Sequence, residues 1–362
     1  MSDAVKRIHS GQTWADFCDG LKAAGQEILR DTTPADPLDR AEGWRYLSRL
    51  TRTALEQYVE FADPEAPAFR RPSHETVKIG ADNPDNYYQS ATIRGDCAYR
   101  ITGVRNTVHY LGIGTYAGGY GSSGRSGQTG YIDDASLQVA ADGSFEIAIS
   151  GEKTPGNWLP MEPESSTLIV RQTFEDREAE QVAELQIERV AAAGPPAPVS
   201  AAFIDHGLAA AAAYVRGTAR IFTDWSEGFA KHKNTLPRFD PKVAAAAHGD
   251  PNICYFHGYW ELACDEALVV EVTPPACEYW NFQLNNHWME SLDYRYHHIA
   301  VNHHGARLLP DGSLRLVVSH ELRDDPNWLE TAGHTRGTMC LRWVGAAEHP
   351  EPTTRVARVS EL

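Results

Sequence analysis

The chain carries one motif twice, and that duplication limits what it can fold into. Residues 311–342 read DGSLRLVVSHELRDDPNWLETAGHTRGTMCLR, and residues 142–171 read DGSFEIAISGEKTPGNWLPMEPESSTLIVR. Both run Asp-Gly-Ser, an alternating apolar stretch ending in Ser, then Asn-Trp-Leu, then Thr and an apolar run closed by Arg. The spacing is nearly constant: 169 residues from Asp142 to Asp311, 170 from Trp158 to Trp328 and 171 from Arg171 to Arg342. A repeat of this length is a duplicated domain rather than a solenoid unit. Aligning Cys97 and Tyr99 with Cys277 and Tyr279, 180 residues on, extends the match upstream. It places 11 surplus residues in the first copy, in the glycine-rich stretch 118–130 (GGYGSSGRSGQTG).

The repeat is β in character. Asp142-Gly143 and Asp311-Gly312 read as hairpin turns, since Gly takes positive φ without steric cost. Leu314, Leu316, Val318 and His320 fall on one strand face, with Arg315, Val317 and Ser319 on the other. Phe145, Ile147 and Ile149 repeat the pattern. The expected fold is mainly β with helical additions: two duplicated antiparallel β-sandwich or jelly-roll-like domains, an N-terminal helical hairpin and a linking helix. The divisions are a helical segment over 1–70, a first β domain over 71–190, linker and helix over 191–252, and a second β domain with its tail over 253–362.

Residues 12–30 read as an amphipathic helix, with Thr13 and Asp16 as a capping box and Trp14, Phe17, Leu21, Ala24 and Ile28 on one face. A second helix starts from Asp36 as N-cap and Pro37, with Trp44, Leu47, Thr51, Leu55 and Tyr58 as its stripe. A third runs from Ser200 to about Lys231. Residues 191–198 (AAAGPPAP) read as a linker, and 234–252 as a proline-interrupted loop. The polar tail 348–362 is expected to be mobile or to clasp a neighbour.

A length of 362 residues fits about two domains. Net charge of −16 argues against nucleic-acid or anionic-membrane partners. Six scattered cysteines without a CxxC pair suit free thiols in a reducing compartment. The start, MSDAVKRIHSGQ, has no apolar core of a secretory signal, and no window approaches a membrane span, so a cytoplasmic location is expected.

Of 15 histidines, eight lie between His257 and His334. Read as a strand, YRYHHIAVNHH puts His297 and His298 on opposite faces, as it does His303 and His304. His298 and His304 share a face about 20 Å apart, too far to ligate one ion. No HxH or HExxH occurs, so neither a metal site nor another cofactor is predicted. His320 and His334 stand where the first copy has Gly151 and a His-free loop, and imidazole suits proton transfer near neutral pH. Glu290 and Asp293 are the carboxylates that would orient them, and Arg336 would stabilise negative charge. Asn281, Gln283 and Asn285 alternate with apolar residues along one strand and would orient a substrate, with His287, Trp288 and Tyr120 beside them. Each assignment competes with a structural role: hydrogen-bonded core histidine, solvated sheet face, surface ion pair. Gly119-x-Gly121-x-x-Gly124 matches a dinucleotide fingerprint as a string, but no βαβ unit surrounds it. A lid decorated by Tyr116, Tyr120 and Arg125 fits better.

The stretches WNFQLNNHWMESLDYR, the DGS turn and DPNWLETAGHTRGTMCLRW resemble the bacterial domain-of-unknown-function family numbered twelve-fourteen. The first copy, with NPDNYYQSATI, DGSFEIAIS, GNWLP and RQTFEDREAE, looks like the amino-terminal part of its longer members. The resemblance covers roughly residues 75–345. It implies a soluble bacterial protein of two jelly-roll-like β domains, and it brings no activity or cofactor.

These features suggest an enzyme acting on a small, partly apolar molecule by hydrolysis or elimination, with His320 and His334 as acid/base groups. The alternative is a non-catalytic small-molecule-binding or assembly module, whose helices and sandwich faces would serve homo-oligomer contacts. A third reading is a metal-dependent enzyme built on the His-rich second β domain.

Overall fold

The computed structural model describes residues 1–120, 125–191 and 194–362. Three helices open the chain: α1 (Asp3–Ser10), α2 (Gln12–Ile28) and α3 (Pro37–Leu55). The first β domain holds β1 (Asn86–Thr92), β2 (Tyr99–Val104), β3 (Tyr110–Ala117), β4 (Gly127–Asp133), β5 (Ser144–Ser150), β6 (Trp158–Pro160), β7 (Ser165–Thr173) and β8 (Glu184–Arg189). Helices α4 (Ala201–Phe229) and α5 (Pro241–Ala246) follow. The second domain holds β9 (Ile253–Glu261), β10 (Glu266–Val272), β11 (Tyr279–Leu284), β12 (Ala300–Asn302), β13 (Leu314–Ser319), β14 (Trp328–Glu330), β15 (Arg336–Val344) and β16 (Thr353–Arg358).

Each domain is a sandwich of two four-stranded sheets, and the two domains share one topology. Order β1-β7-β3-β4 in the first becomes β9-β15-β11-β12 in the second, and β6-β5-β2-β8 becomes β14-β13-β10-β16. Pairing is antiparallel except where the Asn-Trp-Leu stretches join, β5 with β6 and β13 with β14, which run parallel. The two Asp-Gly-Ser turns match: Gly143 and Gly312 have φ of 84° and 82°. Asp142 and Asp311 each accept from the backbone N–H two residues on at 3.0 Å. Each sandwich has its own core, around Ile101, Ile113, Ile147 and Val170 in one and Phe256, Phe282, Leu316 and Leu341 in the other.

Strand pairing corrects the upstream alignment. Tyr110 pairs with Thr173 and Tyr279 with Val344, so Tyr279 matches Tyr110, 169 residues away, and not Tyr99. The 169-residue spacing therefore holds from β2 to the Asp-Gly-Ser turn, and no surplus sits in the glycine-rich stretch. The Cys-x-Tyr match was a coincidence between strands β2 and β11, which belong to different sheets.

Other expectations shift as well. The tail is not free: β16 pairs with β10 and completes a sheet, as β8 does in the first domain. The loop 234–252 contains α5, capped by Asp240 with Pro241 at its first turn. The run around His297 is mostly turn, and only Ala300–Asn302 forms a strand. Thr13 caps nothing; its hydroxyl donates to Asp205 at 2.5 Å, and Gly11 is the N-cap of α2. Asp36 does cap α3, accepting from the Asp39 N–H at 3.1 Å. Trp14 and Trp44, assigned to buried stripes, are 60% and 46% exposed. Among the described residues, no helix is long and apolar enough to cross a membrane.

Strands β3 and β11 are buried along their whole length, on both faces. One face belongs to its sandwich core. The other meets the opposite domain, where Tyr110, Tyr279, Val344 and Ile253 cluster. The helices form a further layer around Phe17, Leu50, Ala211 and Val215, into which Trp288 of the second domain inserts.

Candidate functional site: a cavity between the two copies

The seam between the domains is reciprocal. Arg171, in β7, donates to the backbone carbonyl of His248, just before the second domain. Arg342, its mate in β15, donates to the carbonyl of Ala81, just before the first. Ala81 and His248 are themselves mates, and both have positive φ, 58° and 61°. Tyr279 accepts from Asn83 at 3.4 Å, while Tyr110 donates to Asp250, the mate of Asn83, at 3.3 Å. Contacts in which each partner's mate repeats the bond are those of an isologous, two-fold interface.

A cavity of about 190 Å³ opens on this seam. It is walled by Phe222, Trp225, Phe239, Tyr120 and Tyr214, and Arg70, Arg171 and Arg342 line it as well. These arginines are 9%, 9% and 4% exposed. Each guanidinium offers five N–H donors. Arg70 bonds Thr53 and Gln57, at 2.9 and 2.6 Å. Arg171 bonds the Tyr116 hydroxyl at 2.9 Å besides the His248 carbonyl. Arg342 bonds Asn281 and Gln283, at 3.2 and 2.6 Å, besides Ala81. Among the described residues, none of the three is within ion-pair distance of a carboxylate, although Asp250 lies near enough to act on Arg171 through space.

Two imidazoles line the same space. Burial pushes His248 down to about 4. Burial, aided by the Arg342 charge, pushes His257 down to about 3. Both are therefore neutral at physiological pH. The His257 ring lies flat between Phe229 and Tyr255, 5.4 and 6.0 Å away, and its Nδ1 has no hydrogen-bond partner among the described residues.

The residues selected from sequence fall in three places. Tyr120 lines the cavity, its hydroxyl donating to the Ala247 carbonyl at 2.9 Å. The lid to which it was assigned includes Gly121 and Gly124, which lie outside the described residues. Asn281, Gln283 and Asn285 are fully buried behind the cavity. Asn281 and Gln283 hold Arg342, and Gln283 passes the chain to Asn285 at 2.6 Å.

The acid/base candidates form a second cluster around helix α3. His334 Nε2 is 2.8 Å from Glu42, whose carboxylate also takes an N–H of Asn286 at 2.9 Å. Asn286 reaches Glu290 at 3.0 Å, and Glu290 pairs with Arg49 at 2.6 Å. Arg336 lies 4.0 Å from Asp39, which accepts the Trp288 indole N–H on its backbone carbonyl at 2.8 Å. His287 Nδ1 sits 3.0 Å from the Tyr259 hydroxyl. His287 Nε2, Asp39 Oδ1 and Arg336 Nε are buried without hydrogen-bond partners among the described residues. His320 sits next to this group, 2.9 Å from the Thr331 hydroxyl. Asp293 lies apart, in an exposed pair with Arg295 at 2.7 Å that holds its carboxyl down at about 2. None of the acid/base candidates lines the cavity.

Three further side chains meet across the seam. Glu175 lies 2.6 Å from His303 and 3.0 Å from His109, close enough for the three to share a metal ion. Spacing within one stretch tests only neighbouring histidines, whereas this group draws on both domains. His303 also replaces a carboxylate: its Nδ1 takes the Trp280 N–H at 3.3 Å, where its mate Asp134 takes the Leu111 N–H at 2.6 Å.

The protein-of-unknown-function family DUF1214 matches the chain twice, over residues 85–173 and 261–348. No curated protein matches it. The chain is similar to the crystal structure of an uncharacterized protein from Burkholderia cenocepacia, with 52% identity over 99% of each chain and a TM-score of 0.97. The VPA0106 protein of Vibrio parahaemolyticus, at 11% identity over 88% of this chain and 98% of that one, with a TM-score of 0.52, shares the fold alone. The two copies read from the repeat are thus two DUF1214 units, and the chain belongs to the DUF1214 family.

Proposed function

We propose that the seam cavity binds a small organic anion with an apolar body. One observation carries this reading: three buried arginines without carboxylate partners converge on one aromatic-walled space. Holding a guanidinium out of water without a counter-charge costs several kcal/mol. A protein of net charge −16 has carboxylates to spare, yet few face this site. A bound carboxylate or phosphate would offset that cost and make short charge-assisted bonds. An apolar cavity of about 150 Å³ holds benzene, so the space suits a body of single-ring size. Calorimetric titration with benzoate and with hexanoate tests the reading. Saturable binding at one site per chain is expected, with Arg70→Gln raising Kd about tenfold. Absence of saturable binding by both acids and by their dicarboxylate counterparts overturns it.

A second reading, acid/base catalysis of hydrolysis or elimination, draws on the Glu42–His334 pair beside the unpartnered Asp39, His287 and Arg336 atoms. It makes His334 the proton carrier, oriented by Glu42 rather than by Glu290 or Asp293. Turnover of any ester or β-substituted acid that survives His334→Ala sinks it.

A further inference from the structure

We infer that the ligand of the seam cavity is two-headed: a dianion with an acidic group at each end of a short apolar body. This rests on the anion-binding reading above and adds the ligand's class. The cavity is built from repeat mates. Arg171 faces it with Arg342, Tyr88 with Tyr255, and Ala81 with His248. Strand register fixes these pairs, since Asn86 pairs with Thr173 as Ile253 pairs with Val344. A site on an internal two-fold presents the same group at both ends, and here that group is a guanidinium held by a carbonyl of the opposite copy.

The charge count agrees. Three arginines and one carboxylate, Asp82, line the space, which leaves two positive charges. The Asp82 carboxylate is already committed, accepting from the Ser291 N–H and hydroxyl at 3.0 and 2.9 Å. Outside the lining, Asp250 acts on Arg171 and Lys78 acts on Asp82, one charge of each sign, so a monoanion would compensate only half of the excess. Departures from symmetry restrict orientation. Ser90 on one side faces His257 on the other, so the two ends of the ligand meet different hydrogen-bonding groups.

Calorimetric titration of the full chain with benzene-1,4-dicarboxylate against benzoate, and hexanedioate against hexanoate, at fixed ionic strength, decides the matter. At least one diacid is expected to bind about tenfold tighter than its monoacid, the size of one added charge-assisted contact. Arg171→Gln should bring that diacid to its monoacid's affinity while leaving the monoacid within about threefold. Should that variant not fold, the wild-type ratio still gives the answer. Equal Kd values within both pairs overturn the two-headed assignment and leave the anion cavity standing. No saturable binding by any of the four acids overturns both.

Discussion

Arg342 hydrogen-bonds the backbone carbonyl of Ala81, 261 residues before it in the chain. Its mate Arg171 does the same to His248, 77 residues after it. Two arginines at one repeat position thus fasten each copy to the segment that leads into the other.

Arg342→Met is therefore expected to weaken the whole protein rather than one domain. It leaves acceptors on Asn281 and Ala81 unpaired in a buried place, and leaves Gln283 Oε1 only the 3.3 Å bond from Asn281. Each such acceptor costs about 1–3 kcal/mol, and the relief of a buried charge returns part of that. A net loss of about 3 kcal/mol in urea denaturation is expected. A change under about 1 kcal/mol would mean the guanidinium contributes little to the seam.

Gly43 sets two effects against each other. In a helix interior Ala is about 1 kcal/mol better than Gly. A Cβ on Gly43 would sit 2.6 Å from Ile28 Cγ2 and 2.8 Å from Trp288 Cζ2. Trp288 cannot give way readily, because its indole is fully buried and pinned to the Asp39 carbonyl at 2.8 Å. Overpacking of this kind costs about 1–3 kcal/mol, so Gly43→Ala should lose up to about 2 kcal/mol net. Gly228, with nothing within 4 Å of its Cβ position, is the control. Gly228→Ala should be neutral or gain up to about 1 kcal/mol in the same thermal melts.

What the sequence could give was whatever local chemistry dictates. The Asp-Gly-Ser turns, the Asp36 cap and the alternation in Leu314, Leu316 and Val318 each follow from a few neighbouring residues. The architecture followed because the motif occurs twice. The site did not, because it lies on the axis between the copies and no single stretch contains it. A signal was present: Arg171 and Arg342 close an apolar run in both copies, where a buried strand should not keep a charge without a use for it. His334 was read from sequence as an acid/base group, but its partner Glu42 comes from a helix 292 residues away. Asn281, Gln283 and Asn285 alternate as read, yet the face they occupy is a buried seam rather than open solvent.

The Glu42–His334 pair predicts a pH window. Burial alone would push the His334 imidazolium down, but its bond to Glu42 raises it above 6.5 overall. Burial would likewise raise Glu42, but the hydrogen bond from His334 lowers it below 4.5. The imidazole's contribution is full below 6.5 and fades as pH rises through its folded value. The carboxylate's is full above 4.5 and fades as pH falls through its folded value. His334→Gln should therefore lose most stability between pH 4.5 and 6.5, and markedly less at pH 9. Urea denaturation at pH 5.5 and 9 checks this, and equal losses at the two pH values contradict an ionic pair.

Asp39 runs the other way. Burial, then its hydrogen-bonded neighbour Asp36, raises its carboxyl from 3.8 to about 7. A raised carboxyl holds its proton in the folded chain and loses it in the unfolded one. Stability should therefore fall as pH climbs from about 4 to about 7 and stay low above that. Asp39→Asn keeps the shape without the charge, so it should match the wild type near pH 4. At pH 8 it should gain on the order of 2–4 kcal/mol, since each tenfold change in proton affinity between the folded and unfolded chain is worth about 1.4 kcal/mol. Thermal melts of the two proteins across pH 4–8 give the result directly. A constant difference over that range would show that Asp39 is already ionised at pH 4 and that Arg336, 4.0 Å away, is close enough to hold it so.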